Sequence, residues 1–422
     1  RIEVAMGMIT SATRMWLTKS VKGFEFKNEY SNTLEYQDTK QLGLYVHIPF
    51  CRTICKFCPY CKEVYHTEKM NRYMDYLLKE IALVTEGQAK KEVSSLYFGG
   101  GTPALAIDRL GEVIDSLTSH FEITEGIGIE LHPSNVTEKL LQKLSDIGVT
   151  KISIGIQSFQ DKFLGILGRK ENRFETMFDA LQKVSFETVA MDFIFALPNQ
   201  TFQDLQKDIE VAFSNGANHI AIYPFIDFGF LESGIQEFQK KEKRALLKQI
   251  TDYCEERGYT RDSIWTFSKD GRASYSSMTR DNFLGFGASA TTCLDEIFKI
   301  NTFSVEEYIN RLQSEQLPTS LTLDFTVRQR MIYYLFWKFY SMKVDCKEFQ
   351  DFFNQDLKKI YGLELFFAKR IGFLTERDGV YELTEKGAFY YHHYEKYFTY
   401  DYINHMWGTM SKEAFPKQLN IK

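Results

Sequence analysis

From about residue 43 to about residue 225 the chain alternates short runs of β-branched and aromatic residues with longer stretches whose apolar positions recur every three or four residues. Residues 44–48, 95–98, 128–131, 151–155, 190–195 and 219–223 read as strands. Between the first two, residues 70–84 place Tyr73, Tyr76, Leu77, Ile81 and Val84 on one helical face, and 107–121, 135–147 and 202–214 repeat that pattern. Repeated β-then-α units predict an α/β fold with a parallel sheet, and six of them suit an incomplete (β/α)6 barrel. Ligands in such folds gather at the carboxyl ends of the strands, so the loops that follow each strand are where chemistry is expected.

Past the barrel the pattern changes. A segment over 268–292, dense in Ser, Thr and Gly, has the composition of an ordinary linker; Leu284-Gly-Phe-Gly-Ala288 within it also resembles a loop that closes over the active site in a known enzyme family. From about Leu321 to about Tyr391 the spacing is helical, and it closes on two β-prone runs around Asp378-Gly379, a hairpin signal. The expected organisation is an N-terminal arm over 1–42, the barrel over 43–230, an extension with the loop over 231–318, and a C-terminal α+β winged-helix-like domain over 319–422. The arm holds a basic amphipathic stretch from Met8 to Lys22, and a chain that opens on Arg1 is expected not to begin at a native start.

Composition narrows the function classes. At 422 residues the chain exceeds what one core usually serves. Its 51 basic and 56 acidic side chains give a net charge of −5, which carries no nucleic-acid footprint. No apolar run approaches a bilayer span and the mean hydropathy is negative, so a soluble protein without a transmembrane segment is expected. The 36 Phe and 24 Tyr are expected mostly to fill cores.

Only seven cysteines occur, and four of them, Cys51, Cys55, Cys58 and Cys61, stand together with gaps of three, two and two residues. That density reads as a ligand set. Structural zinc usually takes two separated Cys-x-x-Cys knuckles, and no second knuckle follows, since Cys254, Cys293 and Cys346 stand alone. A disulfide framework does not fit an odd count in a chain this long. Thiolates compressed into one loop suit an iron-sulfur cluster, with zinc as the second reading. A labile cluster beside unpaired thiols points to a reducing, anaerobic cytoplasm.

The segment Cys51-x-x-x-Cys55-x-Phe57-Cys58 resembles the radical S-adenosylmethionine (SAM) signature, and Tyr45-Val-His-Ile-Pro-Phe50 before it resembles that of the oxygen-independent coproporphyrinogen III oxidase family. The resemblance implies that Cys51, Cys55 and Cys58 bind three irons of a 4Fe-4S cluster. The fourth iron then takes SAM, whose reductive cleavage yields a 5'-deoxyadenosyl radical that abstracts hydrogen from an organic substrate. An external one-electron donor such as flavodoxin or ferredoxin is implied, as is a small-molecule substrate of porphyrin or other apolar type. Tyr45 is the catalytic candidate, and Phe57 joins the cofactor-binding set. Cys61 departs from the triad; as a fourth ligand it would close the open iron, and the expectation is a non-ligand beside the cluster, since family members carry an extra cysteine at a nearby offset.

Further motifs follow the remaining strands. Gly99-Gly100-Gly101-Thr102-Pro103 lets backbone approach a bound group closely, and it resembles the family's element that contacts the methionyl amino group. It lacks the later glycine of a dinucleotide fingerprint. Glu130 ends the third strand, Gln157 follows the fourth, and Arg169 lies twelve residues on; the resemblance gives all three to SAM, with Arg169 against its carboxylate, a contact that suits a guanidinium fork. Asp192 is an acid inside an apolar strand, costly unless partnered, and the resemblance places it on the ribose hydroxyls. The outcome after hydrogen abstraction is left open between oxidative decarboxylation of a porphyrinogen propionate, methyl transfer or carbon-carbon bond formation with a second SAM, and a haem chaperone without turnover. His392, His393, Glu395 and His405 near the C terminus read as a solvated helix face before a metal or haem site, and the winged-helix-like module as a lid or substrate-docking element.

Overall fold

A computed structural model of the chain describes residues 23–29, 31–169, 174–231, 233–236, 238–269 and 281–421, with the backbone alone for residues 240, 392–399 and 401. Six strands form the barrel: β1 (Leu42–Ile48), β2 (Leu96–Gly100), β3 (Ile127–Leu131), β4 (Val149–Gln157), β5 (Thr188–Phe195) and β6 (His219–Pro224). They pair parallel in chain order, β1 with β2 and so on to β5 with β6. Helices α1 (Thr67–Thr85), α2 (Ile107–His120), α3 (Glu138–Asp146), α4 (Glu175–Lys183), α5 (Phe202–Ser214) and α6 (Lys240–Glu256) alternate with or follow these strands. The periodicity that predicts α1 is the face it buries: Tyr73, Leu77 and Ile81 are fully inaccessible. Thr201 starts α5 with a capping box, its hydroxyl taking the Asp204 amide while the Asp204 carboxylate takes the Thr201 amide.

The barrel does not close on itself. Instead β7 (Asn282–Phe286) pairs parallel with β1, and an antiparallel series β8 (Thr291–Leu294), β9 (Ile297–Asn301) and β10 (Thr319–Asp324) continues the sheet to strands Phe24–Lys27 and Gln418–Ile421. Here the structure corrects one expectation, because residues 321–324 belong to a strand and not to the start of a helical region. Leu321 and Leu323 are buried by the pairing of β10 with β9, a long-range contact that local spacing does not report.

Helix α7 (Val305–Gln313) packs against α1, with the Tyr308 ring 5.1 Å from that of Tyr73. A winged-helix-like unit follows: α8 (Val327–Tyr340), β11 (Lys343–Asp345), α9 (Cys346–Phe353), α10 (Leu357–Arg370) and the hairpin β12 (Leu374–Arg377) with β13 (Val380–Leu383), around its own core of Tyr334, Phe349, Leu357 and Leu365. The buried Arg330 ties α8 to the sheet, its Nε donating to the Asp295 carbonyl at 2.8 Å and its Nη2 to Asn282 Oδ1 at 3.0 Å. Helix α11 (Glu385–Tyr402) and a π-helical turn at Ile403–Trp407 then lead back towards the barrel.

One buried carboxyl joins barrel and extension. Glu80 of α1 accepts from the Gly287 amide (2.7 Å), the Tyr308 hydroxyl (2.6 Å) and Asn301 Nδ2 (2.8 Å). Beside it, the Tyr73 hydroxyl donates to the His47 carbonyl (2.7 Å) and accepts from the Ala288 amide (2.9 Å). Gly287 has φ +101°, and a Cβ there would collide with the His47 carbonyl and Tyr73 hydroxyl, so the loop after β7 lies directly under the end of β1. Burial pushes the Glu80 carboxyl up to about 7 from an ordinary 4.5. The folded chain therefore keeps a proton that the unfolded chain releases between those values, and this contribution to stability is lost as pH rises through that window. Glu80→Gln removes the titration: between about pH 5 and pH 7 the unfolding midpoint of the wild type falls more steeply than that of the variant. Parallel slopes in calorimetry would contradict the assignment.

Candidate active site

The cysteine loop leaves β1 at its carboxyl end and is held against the loop after β2 by backbone bonds. The Gly101 amide donates to the Ile48 carbonyl (2.9 Å) and the Thr102 amide to that of Phe50 (2.8 Å). No side chain fits between the two loops. A Cβ on Gly101 would stand 2.6 Å from the Phe50 carbonyl oxygen, and one on Gly100, which has φ +117°, would stand 2.8 Å from the His47 ring. The Thr102 hydroxyl reaches the Cys51 sulfur at 3.7 Å.

The four thiols are half-buried and form no disulfide. Burial pushes Cys51 up to about 11, opposed by the Thr102 hydroxyl and reinforced by the charge Cys58 and Cys55 would carry, so the three sulfurs are close enough to feel one another. Among the described residues no three His, Cys, Asp or Glu side chains converge on one point as a single metal ion would require. Cys61 is engaged elsewhere. Its thiol donates to the Phe303 carbonyl at 3.2 Å, it hydrogen-bonds Ser289, and its own carbonyl meets His47 Nε2 at 3.1 Å. Burial raises this thiol to about 12.

Across the glycine strip stand the acids. Glu130 at the end of β3 accepts from the Gly100 amide (3.2 Å) and hydrogen-bonds Tyr97. Tyr45 of β1 stacks on Tyr97 with ring centroids 6.4 Å apart, and its hydroxyl contacts His47 Nδ1 at 3.0 Å. Gly99 makes room for both, since a Cβ there would lie 2.8 Å from the Tyr45 hydroxyl and 3.2 Å from Glu130 Oε1. Asp192 of β5 accepts from the Ser153 hydroxyl at 2.8 Å. Burial pushes Glu130 up to about 7, with the Asp192 charge adding to the shift; it pushes Asp192 to about 6, with Ser153 and Arg169 opposing. Burial likewise lowers His47 to about 4, so it is a neutral hydrogen-bonding group at neutral pH.

Arg169 completes the ring. Its Nη1 donates to the Gly155 carbonyl, and its guanidinium lies over Phe57 at 5.6 Å from the ring centroid. Its Nε is buried and has no hydrogen-bond partner among the described residues, which makes it a donor available to an acceptor. Gln157 ends β4 with φ +70°, its amide nitrogen 3.0 Å from where a Gly155 Cβ would lie. The turn after it is pinned by buried Asp208, which accepts from the Ser158 hydroxyl (2.7 Å), the Phe159 amide (3.2 Å) and Gln160 Nε2 (3.2 Å).

Contacts thus link Cys51, the 99–102 strip, Glu130 and Tyr45, and Asp192 and Arg169 are coupled to this group by charge. Sequence reasoning missed His47, Tyr97, Ser153 and Trp407. His47 carried a signal in its alternation with Tyr45 on one strand face. Trp407 carried none: its ring lies 5.2 Å from Tyr60 and 6.2 Å from Phe303, while Tyr400 stacks on Phe228, so the C-terminal segment crosses the open side of the barrel mouth. The side chains of His392, His393 and Glu395, the 8–22 stretch and part of the 268–292 loop lie outside the described residues; His405 is exposed.

Residues 45–212 match the family model described as the radical SAM superfamily. This segment is a radical SAM domain. The fold around it matches that of the Escherichia coli coproporphyrinogen III oxidase, a radical SAM enzyme, at a TM-score of 0.76 and 19% identity, covering 90% of this chain and 97% of that one. A heme chaperone HemW from Bacillus subtilis is 24% identical over 360 residues, 81% of this chain and 95% of its own. An oxygen-independent coproporphyrinogen III oxidase from Helicobacter pylori is 23% identical over 400 residues, 86% of each chain. Radical SAM proteins bind a 4Fe-4S cluster and SAM, and the donor set here fits both: clustered thiols for iron, an unpartnered guanidinium donor for a carboxylate, and paired acids for an amine and hydroxyls. Among the described residues no helix is long and apolar enough to cross a membrane.

Two outcomes follow for the radical SAM domain. After anaerobic reconstitution Cys61→Ser retains the iron and sulfide content of the wild type, whereas Cys51→Ser, Cys55→Ser or Cys58→Ser loses most of it; loss in Cys61→Ser to the same level would make it a ligand. Arg169→Ala raises the Kd for SAM about tenfold or more by calorimetry, since a charge-assisted hydrogen bond contributes roughly 1.5–3 kcal/mol. An unchanged Kd would remove Arg169 from the site.

Proposed function

We propose that the chain is a radical SAM enzyme in which Cys51, Cys55 and Cys58 hold three irons of the cluster and SAM takes the fourth. When bound, the pair supplies one-electron cleavage of the SAM sulfonium and hence a radical able to take hydrogen from carbon. The protein's part is positional. Arg169 offers its free Nε to the SAM carboxylate, with Phe57 holding the guanidinium plane. Glu130, beside the glycine strip, accepts from the amino group, and Asp192, fixed by Ser153, accepts from the ribose. Gln157 sits at the strained end of β4 between them. A cation or hydroxyl donor arriving at Glu130 and Asp192 favours their charged forms and offsets the cost of burying two acids together. Tyr45 is the residue of this ring placed to meet substrate, its hydroxyl oriented by neutral His47.

The observation that carries this reading is the Cys61 thiol, which is committed to the Phe303 carbonyl at 3.2 Å. Three thiols are left for four irons, and an open iron is what separates SAM chemistry from simple electron carriage. The substrate class proposed is a tetrapyrrole, with oxidative decarboxylation of a propionate as the reaction. Its support is the similarity to coproporphyrinogen III oxidases along 86% of the Helicobacter pylori enzyme's length. The Bacillus subtilis chaperone, matched over 95% of its length, favours a second reading in which haem is held and not transformed.

One experiment separates them. The reconstituted protein is incubated without oxygen with dithionite, SAM and either coproporphyrinogen III or haem, and both nucleoside and tetrapyrrole are followed by mass spectrometry. The enzyme reading expects 5'-deoxyadenosine together with loss of carbon dioxide from the porphyrinogen. Tight haem binding with no 5'-deoxyadenosine under any condition would overturn it in favour of the chaperone.

A further inference from the structure

The cysteine loop also presents an outward surface that none of the site chemistry uses. Between the first and third ligands, Arg52, Thr53, Ile54 and Lys56 are all exposed, and Ile54 leaves 40% of its surface in water. Ile54 is one of the exposed large apolar side chains among the described residues, and it stands between two cations. Arg52 lies over the Tyr65 ring at 5.4 Å, which directs its guanidinium along the outside of the loop towards the start of α1, while Lys56 runs against Gly168 beside the turn that carries Arg169. Among the described residues neither Arg52 nor Lys56 makes an ion pair, and Glu63, the next acid along the chain, is paired with Lys69. Lys62 adds a third positive charge, its Nζ donating to the Cys58 and Tyr60 carbonyls. A locally basic patch with an apolar centre therefore sits on a chain whose overall charge is −5.

We infer that Arg52, Ile54 and Lys56 form the docking face for a small acidic one-electron carrier protein, which delivers its electron through the loop to the cluster. The inference rests on the proposed placement of the cluster at Cys51, Cys55 and Cys58. The step is a single electron transfer: the reduced carrier is oxidised by one electron, the cluster is reduced by one, and no bond or proton moves. The chemistry of the patch selects the partner. Long-range attraction between a basic face and an acidic carrier raises the encounter rate and fixes orientation, and Ile54 supplies the small dry contact that a short-lived complex needs. Such encounters are small and release quickly, so a face made of one loop is of the right scale. Because the patch lies between the proposed ligands themselves, none of the described residues would stand between a carrier seated there and the loop that holds the cluster.

The test compares two reductants on the reconstituted full chain. Arg52→Glu/Lys56→Glu and, separately, Ile54→Ala are assayed for 5'-deoxyadenosine formation with reduced flavodoxin and with dithionite, and flavodoxin affinity is measured independently by surface plasmon resonance at low and at 0.3 M salt. The charge-reversed variant is expected to lose tenfold or more of its flavodoxin-driven rate and to bind flavodoxin at least tenfold more weakly at low salt, with a flattened salt dependence. Its dithionite-driven rate stays within twofold of the wild type. Ile54→Ala is expected to weaken binding without changing the salt dependence. Wild-type flavodoxin affinity in the charge-reversed protein, or an equal fall with both reductants, would overturn the inference. Failure of the wild type to cleave SAM with dithionite would instead sink the proposed function, while the affinity measurements would still decide the docking face.

Discussion

The contact between the glycine strip and the cysteine loop governs everything at the mouth of this barrel. Two parallel strands, β1 and β2, end side by side, and the chains that leave them stay paired for several more residues because Gly101 and Thr102 donate to Ile48 and Phe50. That extension is possible only without side chains, since a Cβ at Gly100 or Gly101 would strike backbone or the His47 ring. As a result the first thiol, Cys51, is fixed within reach of Thr102, and Glu130 is drawn onto the strip from the next strand. The cysteine loop and Glu130 are thereby positioned by one packing event.

Charge is distributed to match. Two buried acids, Glu130 and Asp192, feel each other's charge, and Asp192 also feels Arg169, whose Nε has no hydrogen-bond partner among the described residues. Such a cluster is poorly satisfied by itself and well satisfied by a zwitterion bearing hydroxyls, which is the chemical character of SAM. The scaffold beneath is stiff: Glu80 and Tyr73 clamp the Gly287 loop below His47, and Asp208 pins the turn after Gln157. The C-terminal segment, through Tyr400 and Trp407, spans the side that six strands leave open.

Much of this was legible in the sequence because it is local. The six strands show in runs of apolar residues, α1 in its helical stripe, and the ligand loop in cysteine spacing alone. The roles expected of Glu130, Gln157, Arg169 and Asp192 came only from the family resemblance; parallel strand order is what brings β3, β4 and β5 side by side. What stayed hidden depends on distant pairing. The strand Thr319–Asp324 looks like the onset of a helical region until its partner β9 is known. The state of Cys61 turns on Phe303 and Ser289, more than two hundred residues away, so no spacing rule could assign it. Glu80 reads as one more polar position on a helix, and its burial is decided by Asn301 and Tyr308.

The central claim is that three thiolates hold a cluster with one iron open to SAM. Electron paramagnetic resonance of the reduced, oxygen-free protein measures this most directly. The account predicts a 4Fe-4S signal whose g values shift when SAM is added, and which persists in Cys61→Ser. A signal indifferent to SAM, or one that disappears with Cys61, would contradict it.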